Sequence, residues 1–199
     1  MHLFLAYCLT AALAPATAPV PAIFSVPACA IASVPACAIS TVPAVANNTP
    51  MADTTLYITS NSFPANGSIP GKYSCEGQNI HPALEVKGTP SATQTLALIL
   101  DDPDAKGGFV HWVTFNIKPG ETIMEGGSPG IEGNNGSGKK GYTGPCPPAG
   151  SGVHHYHFRV YALDATLDLP EGADRSQLEA AMKGHILAQG DLVGLYQKG

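Results

Sequence analysis

The sequence GYTGPCPPAG at residues 141–150 runs into HHYHFRVYAL at residues 154–163, and these two segments determine the predicted fold. Proline fixes φ and glycine supplies backbone conformations that other residues avoid, so the first segment predicts a stiff loop. The second segment alternates from His154 onwards, which predicts a strand whose mostly apolar face includes Tyr156 and Phe158. A stiff loop entering a buried strand can hold polar groups still at the mouth of a pocket.

A second pair of segments has a similar pattern. Residues 95–100 are nearly all apolar, which predicts a central buried strand. This strand leads into the acidic, proline-containing sequence DDPDA at residues 101–105, and His111 opens the next strand at residues 111–117. Both predicted strands therefore have polar, loop-forming residues at one end.

The composition favours a β-dominated single domain. Hydrophobic residues make up 44% of the 199 residues and charged residues only 13%, and most of the 22 glycines lie between short apolar runs. The net charge is −5 and the ten Lys and Arg residues do not cluster, which argues against a nucleic-acid surface. The sequence contains no run of 18 apolar residues, so no membrane span is predicted. The odd number of cysteines, 5, does not indicate a dense disulfide framework.

The remaining pattern predicts short elements joined by long loops. One helix is expected from about residue 175 to about residue 188, with Asp174 as N-cap and Gln177 completing a capping box. A long irregular connection is expected between residues 118 and 140. Three further strands are predicted at residues 56–60, 81–86 and 192–196.

Residues 1–50 are expected to lie outside the domain, which is assigned to residues 51–199. Residues 1–18 are similar to a secretion signal, although no Lys or Arg precedes the apolar part. An eight-residue Pro-Ala repeat follows at residues 26–33 and 34–41, and it predicts a disordered tail. The alternative is that translation starts at Met51. A start there implies a cytoplasmic protein, whereas a functional signal implies a secreted or periplasmic one.

Several motifs together resemble the phosphatidylethanolamine-binding protein family. They are DPDA at residues 102–105, His111-Trp112, GPCPP at residues 144–148 and the pair His154 and Tyr156. Three more motifs, YSCEG from Tyr73, VYALD from Val160 and GHIL from Gly184, resemble its prokaryotic, Raf-kinase-inhibitor-like (YbhB/YbcL type) branch. The resemblance covers about residues 56–196. It departs from the family pattern at Lys106, where a second proline is usual.

This resemblance implies a β-sandwich of antiparallel sheets with one C-terminal helix and a small anion-binding pocket. The implied ligand is phosphate, a phosphoryl head group or a carboxylate, and the implied role is modulation of a kinase or a serine protease. No enzymatic activity and no cofactor are expected. The ligand-binding residues that carry over are Asp102, Asp104, His111, Gly144, Pro145, Cys146, Pro147, Pro148, His154 and Tyr156.

The residue types fit anion binding, because imidazole and phenol groups donate hydrogen bonds. Asp102 is expected to orient a histidine and to raise its pKa. A metal-dependent β-fold enzyme is the alternative function, since His155 and His157 share one strand face and Asp104 and His111 could complete a ligand set.

Cys146 offers a further, less favoured interpretation as a nucleophile, because it lies in the proline-rich loop near histidines. Whether Cys75 and Cys146 form a disulfide is left open by the sequence.

Overall fold

The computed structural model describes residues 54–120 and 122–199. The predicted tail at residues 1–50 and the proposed domain start at Met51 lie outside the described residues. In chain order the elements are β1 Thr54–Thr55, β2 Tyr57–Thr59, β3 Gly67–Ser68, β4 Glu85–Lys87, β5 Thr95–Asp102, β6 Phe109–Ile117, β7 Ile131–Glu132, β8 His154–Leu163, α1 Arg175–Met182 and β9 Ile186–Tyr196.

Seven of the strands form one sheet in the order β1-β9-β8-β5-β6-β7, with β3 also paired to β9. The long strands β5, β6, β8 and β9 are antiparallel, whereas the short strands β1 and β3 join β9 in parallel. Strands β2 and β4 form a separate two-stranded antiparallel sheet. The predicted mainly β fold with one helix near the C-terminus is confirmed.

The large sheet is buried on both faces at its centre. All eight residues of β5 are buried, as the apolar run predicted. One face packs Leu98 and Phe158 into a core that also holds residues of β2 and of the loops near Phe63. The other face packs Val113 and Phe115 against the helix. In β8 the residues from His154 to Val160 alternate between buried and more exposed, in agreement with the predicted strand faces.

The helix begins where the sequence predicts and ends earlier. Asp174 Oδ1 accepts a hydrogen bond from the Gln177 amide at 2.9 Å, and Gln177 Oε1 accepts one from the Asp174 amide at 2.9 Å, so the capping box is present. The predicted end near residue 188 is wrong, because Gly184 has a left-handed φ of +87° and β9 already begins at Ile186. Among the described residues, no helix is long and apolar enough to cross a membrane.

Three predicted strands have different bounds in the structure. The strand at 56–60 is shortened to β2 at Tyr57–Thr59, with a separate strand β1 at Thr54–Thr55 before it, and the final strand starts six residues before the predicted Leu192, at Ile186. The strand at 81–86 is reduced to Glu85–Lys87, since Pro82 has no N–H to donate to a sheet. His81 instead stacks on the Trp112 ring, with 4.3 Å between the ring centroids.

Cys75 and Cys146 form a disulfide bond, which settles the pairing that the sequence left open. It links the segment after a short 3-10 turn at Gly71–Tyr73 to the proline-rich loop, across a sequence separation of 71 residues. The Cys75 amide also donates to the Pro145 carbonyl at 3.1 Å. The loop is therefore held by a covalent bond and a neighbouring hydrogen bond.

Reduction of this bond should lower the free energy of unfolding by about 2–5 kcal/mol, because the cross-link restricts the unfolded chain. The measurement is urea unfolding of the wild type and of Cys75→Ser, each with and without a thiol reductant. The reductant should destabilise the wild type and leave Cys75→Ser unchanged. Equal stability of reduced and oxidised wild type would contradict a stabilising role for the bond.

Leu178 on α1 is fully buried against the sheet, so Leu178→Ala should cost about 2–5 kcal/mol of unfolding free energy. Ser176→Ala on the exposed side of the same helix is the control and should change stability by less than about 0.5 kcal/mol. Chemical unfolding of both variants measures the difference. A similarly small effect for Leu178→Ala would mean that the helix does not contribute to the core.

Candidate functional site

A cavity of about 530 Å³ lies where one end of β5, β6 and β8 meets the proline-rich loop. Asp102 is the last residue of β5, His111 lies near the start of β6, and His154 and Tyr156 lie at the start of β8. Because β8, β5 and β6 are neighbours in the sheet, residues far apart in sequence meet here. The structure brings every predicted site residue to the cavity wall except Pro145, whose carbonyl accepts the Cys75 amide.

Asp102 and His154 form a buried pair. His154 Nδ1 lies 2.7 Å from Asp102 Oδ2, and the residues are 5% and 2% exposed. The other carboxylate oxygen, Asp102 Oδ1, accepts the amides of Asp104 at 2.9 Å and Ala105 at 3.1 Å. The loop after β5 thus folds around the carboxylate, which fixes the imidazole ring and places a proton on Nδ1.

His111 is buried and hydrogen-bonded on one ring nitrogen. Its Nδ1 lies 2.8 Å from the Thr143 carbonyl, and since a carbonyl can only accept, Nδ1 carries the proton. Burial lowers the pKa of His111 from its usual 6.5, and this outweighs the opposing effects of the Thr143 carbonyl and Asp102. Asp102 acts on His111 in the expected direction, but desolvation has the larger effect, so the pKa of His111 is lowered overall.

The Tyr156 hydroxyl is a buried polar group without a hydrogen-bond partner among the described residues. Burial raises the pKa of Tyr156 well above its usual 10, and Asp102 adds to this through its negative charge and a hydrogen-bonding interaction too long to count as a regular hydrogen bond, so the hydroxyl keeps its proton. The phenol ring packs edge-on against His111 at 5.2 Å between centroids. A buried donor that lacks an acceptor is costly to a folded protein, and a ligand in the cavity can supply that acceptor.

The proline-rich loop is fixed to the segment that contains Cys75. The Tyr142 hydroxyl donates to the Tyr73 carbonyl at 2.7 Å, and the Gly144 amide donates to Asn79 Oδ1 at 2.7 Å. A Cβ atom at Gly144 would lie 2.2 Å from the Tyr73 carbonyl oxygen, so only glycine fits at this close approach. The wall of the cavity is therefore rigid.

The other histidines of β8 point away from the cavity and have separate partners. His155 donates its backbone amide and Nδ1 to Asp104 Oδ2 at 2.8 and 2.7 Å, and these hydrogen bonds lower the pKa of Asp104. His157 Nδ1 lies 2.7 Å from Asp191 Oδ2. Within residues 54–120 and 122–199, no three His, Cys, Asp or Glu side chains are grouped to hold a metal ion. The structure thus gives no support to the metal-dependent alternative.

Sequence reasoning missed several residues of the cavity wall. Lys106 stood out only as a departure from the family pattern, and nothing in the sequence singled out Phe109, although both line the cavity. Ser151 was not considered, although its position three residues before His154 was a usable signal. The other lining residues that were missed are Ala105, Ser137 and Thr143.

Comparisons with known proteins agree on one family. The family model for phosphatidylethanolamine-binding proteins matches residues 59–197. A UPF0098 protein from Pyrococcus horikoshii is 50% identical over 149 residues, which cover 70% of this chain and 75% of the relative.

Two solved structures are also similar to this chain. The crystal structure of a phosphatidylethanolamine-binding protein homologue from Chlamydia trachomatis has a TM-score of 0.70 and 38% identity, covering 73% of this chain and 99% of the other. That of E. coli YbcL, described as a member of the mammalian family, has a TM-score of 0.67 and 25% identity, covering 72% of this chain and 99% of the other. The chain belongs to the phosphatidylethanolamine-binding protein family.

Proposed function

We propose that the protein binds a small anion, namely a phosphate, phosphoryl or carboxylate group, in the cavity beside Asp102 and His154. The observation that carries this proposal is the Tyr156 hydroxyl, a buried donor in the cavity wall that has no acceptor at regular hydrogen-bond distance among the described residues. An anionic oxygen is the strongest acceptor that such a donor can meet.

The charges around the cavity are compatible with an anion. The two carboxylates, Asp102 and Asp104, each accept hydrogen bonds from a histidine and from backbone amides, so they are already neutralised in part. Lys106 lines the cavity and adds a positive charge. His111 can add another when it takes up a proton on Nε2, because its Nδ1 is already protonated. An anion would bind between these donors.

The size of the cavity argues for a ligand larger than free phosphate. A volume of about 530 Å³ falls within the usual range of ~300–1,000 Å³ for organic ligands. Phe109, Pro147 and Pro148 supply apolar wall next to the polar groups. The ligand class that fits is an organic group carrying one phosphate or carboxylate.

The wider role is modulation of a partner protein, a kinase or a serine protease, and it rests on the family resemblance. The disulfide between Cys75 and Cys146 supports a secreted or periplasmic location over a cytoplasmic one, because such bonds persist in oxidising compartments. This favours the interpretation of residues 1–18 as a signal.

Sustained enzymatic turnover does not belong to this proposal. An acyl-transfer enzyme needs hydrogen-bond donors aimed at the developing oxyanion. The Gly144 amide, which lies in the wall of the cavity, already donates to Asn79 Oδ1. The site is thus better equipped to hold an anion than to stabilise a transition state.

Replacement of Tyr156 by phenylalanine should weaken anion binding without lowering the stability of the fold. Tyr156→Phe removes a donor to the anion and should weaken acetate binding by about 1.5–3 kcal/mol, while the unfolding free energy stays the same or rises. The control is Tyr142→Phe, whose lost hydroxyl donates to Tyr73 and should cost about 1 kcal/mol of stability. Acetate titration and urea unfolding of both variants measure these effects. Unchanged acetate affinity in a folded Tyr156→Phe protein would refute the assigned role.

Anion affinity should rise as the pH falls. In the free protein the pKa of His111 lies below 6.5, so its ring is neutral at pH ~8.5 and Nε2 cannot donate. A bound anion favours the charged ring, so binding takes up a proton, and affinity increases until the pH falls below the pKa of free His111. Acetate should therefore bind more tightly at pH ~5.5, where carboxylic acids are still mostly ionised, than at pH ~8.5.

The measurement is an NMR titration with acetate at both pH values, following the imidazole signals. The signals of His111 should move and those of His155 and His157 should not. Equal affinity at the two pH values, or movement confined to His155 and His157, would place the anion elsewhere.

A further inference from the structure

Ser151 completes a chain of three side chains with His154 and Asp102. Ser151 Oγ lies 3.1 Å from His154 Nε2, and His154 Nδ1 lies 2.7 Å from Asp102 Oδ2. Asp102 is buried and held by two backbone amides, whereas Ser151 is exposed and lines the same cavity. This is the order of contacts in which an aspartate orients a histidine and the histidine activates a serine hydroxyl.

The hydrogen bonds of Ser151 define two proton arrangements. With His154 neutral, Nδ1 donates to Asp102 and Nε2 accepts the Ser151 proton, which is the reactive arrangement. With His154 charged, Nε2 donates to Ser151 Oγ and the hydroxyl donates to the Pro148 carbonyl at 2.8 Å. The geometry accommodates both, and the arrangement with neutral His154 is the one in which the Ser151 hydroxyl can act as a nucleophile.

We propose that Ser151 is an activated nucleophile that accepts one acyl group from small activated esters, such as aryl esters. Ser151 Oγ attacks the carbonyl carbon and its proton passes to His154 Nε2. The bond between the carbonyl carbon and the aryl oxygen then breaks. The aryloxide leaves with the bonding electron pair and takes the proton from Nε2, so the products are an O-acyl serine and a phenol. No oxidant or reductant is needed.

The same site favours acylation and disfavours release of the acyl group. An aryloxide is a good leaving group, so attack on an aryl ester tolerates weak stabilisation of the oxyanion. Hydrolysis of the alkyl ester on Ser151 has a poor leaving group and depends more on such stabilisation. In the cavity wall the Gly144 amide already donates to Asn79 and is not available to the oxyanion. The buried donor left there to stabilise the oxyanion is the Tyr156 hydroxyl, so stabilisation is weak. Acylation should therefore stop at one group per chain.

The experiment mixes the full chain with p-nitrophenyl acetate near pH 8 and follows nitrophenol release, followed by intact-mass and peptide mapping. A burst of about one equivalent is expected, with the acetyl group on Ser151. Ser151→Ala should lose the burst, and the exposed turn serine variant Ser91→Ala, distant in sequence from the cavity, should retain it. His154→Gln, checked for folding by thermal unfolding, should slow acylation by roughly 100-fold or more.

Three outcomes overturn the inference: no burst from the folded wild type, an equal burst from Ser151→Ala, or an acetyl group that maps to Lys106 instead. Acetate titration of the wild type is run in parallel and reports on anion binding alone. Acylation of Ser151 without acetate binding would leave this inference standing and remove the proposed function. Acetate binding without acylation of Ser151 would remove this inference and leave the proposed function standing.

Discussion

The burial of strand β5 is the constraint on which the other parts of the structure depend. All eight residues of Thr95–Asp102 are buried, including the polar residues at its end. The Asp102 carboxylate at the end of this strand needs hydrogen-bond partners, because an unpaired buried charge is very costly. The loop after β5 supplies two amides to Asp102, and His154 on β8 supplies a ring nitrogen. The hydrogen bonds that satisfy the buried Asp102 thereby place a histidine and a carboxylate at the wall of the cavity.

The rest of the cavity is fixed from its opposite side. The proline-rich loop is fastened by a disulfide and by hydrogen bonds from Tyr142 and Gly144 to the segment that precedes β4. Rigid walls reduce the entropy that a ligand has to lose on binding, which is the advantage of a preformed site. The buried Tyr156 hydroxyl lies in this wall, where an anionic ligand can accept its hydrogen bond.

Local sequence patterns predicted the central strands and the start of the helix, and gave wrong bounds where contacts between distant residues set the end of an element. Alternation along residues 154–163 identified the buried face of β8, and Asp174 with Gln177 identified the helix start. The helix end was missed because Ile186 is drawn into pairing with Leu163 of β8, a contact that helical spacing does not record. The motifs placed most of the cavity wall. They did not reveal that burial lowers the pKa of His111 or that Ser151 reaches His154, because both depend on side-chain positions in the folded protein.

The position of β9 has a consequence for how the protein is made. This last strand pairs with β8 on one side and with the early strands β1 and β3 on the other, so the ends of the described chain are joined through it. A ribosome produces β1 and β3 more than a hundred residues before it produces their partner. Contacts so distant in sequence form slowly, and a nascent strand without its neighbour exposes an edge that can aggregate. The emerging domain therefore cannot complete its large sheet until β9 has been synthesised, which makes this strand the one that closes the sheet.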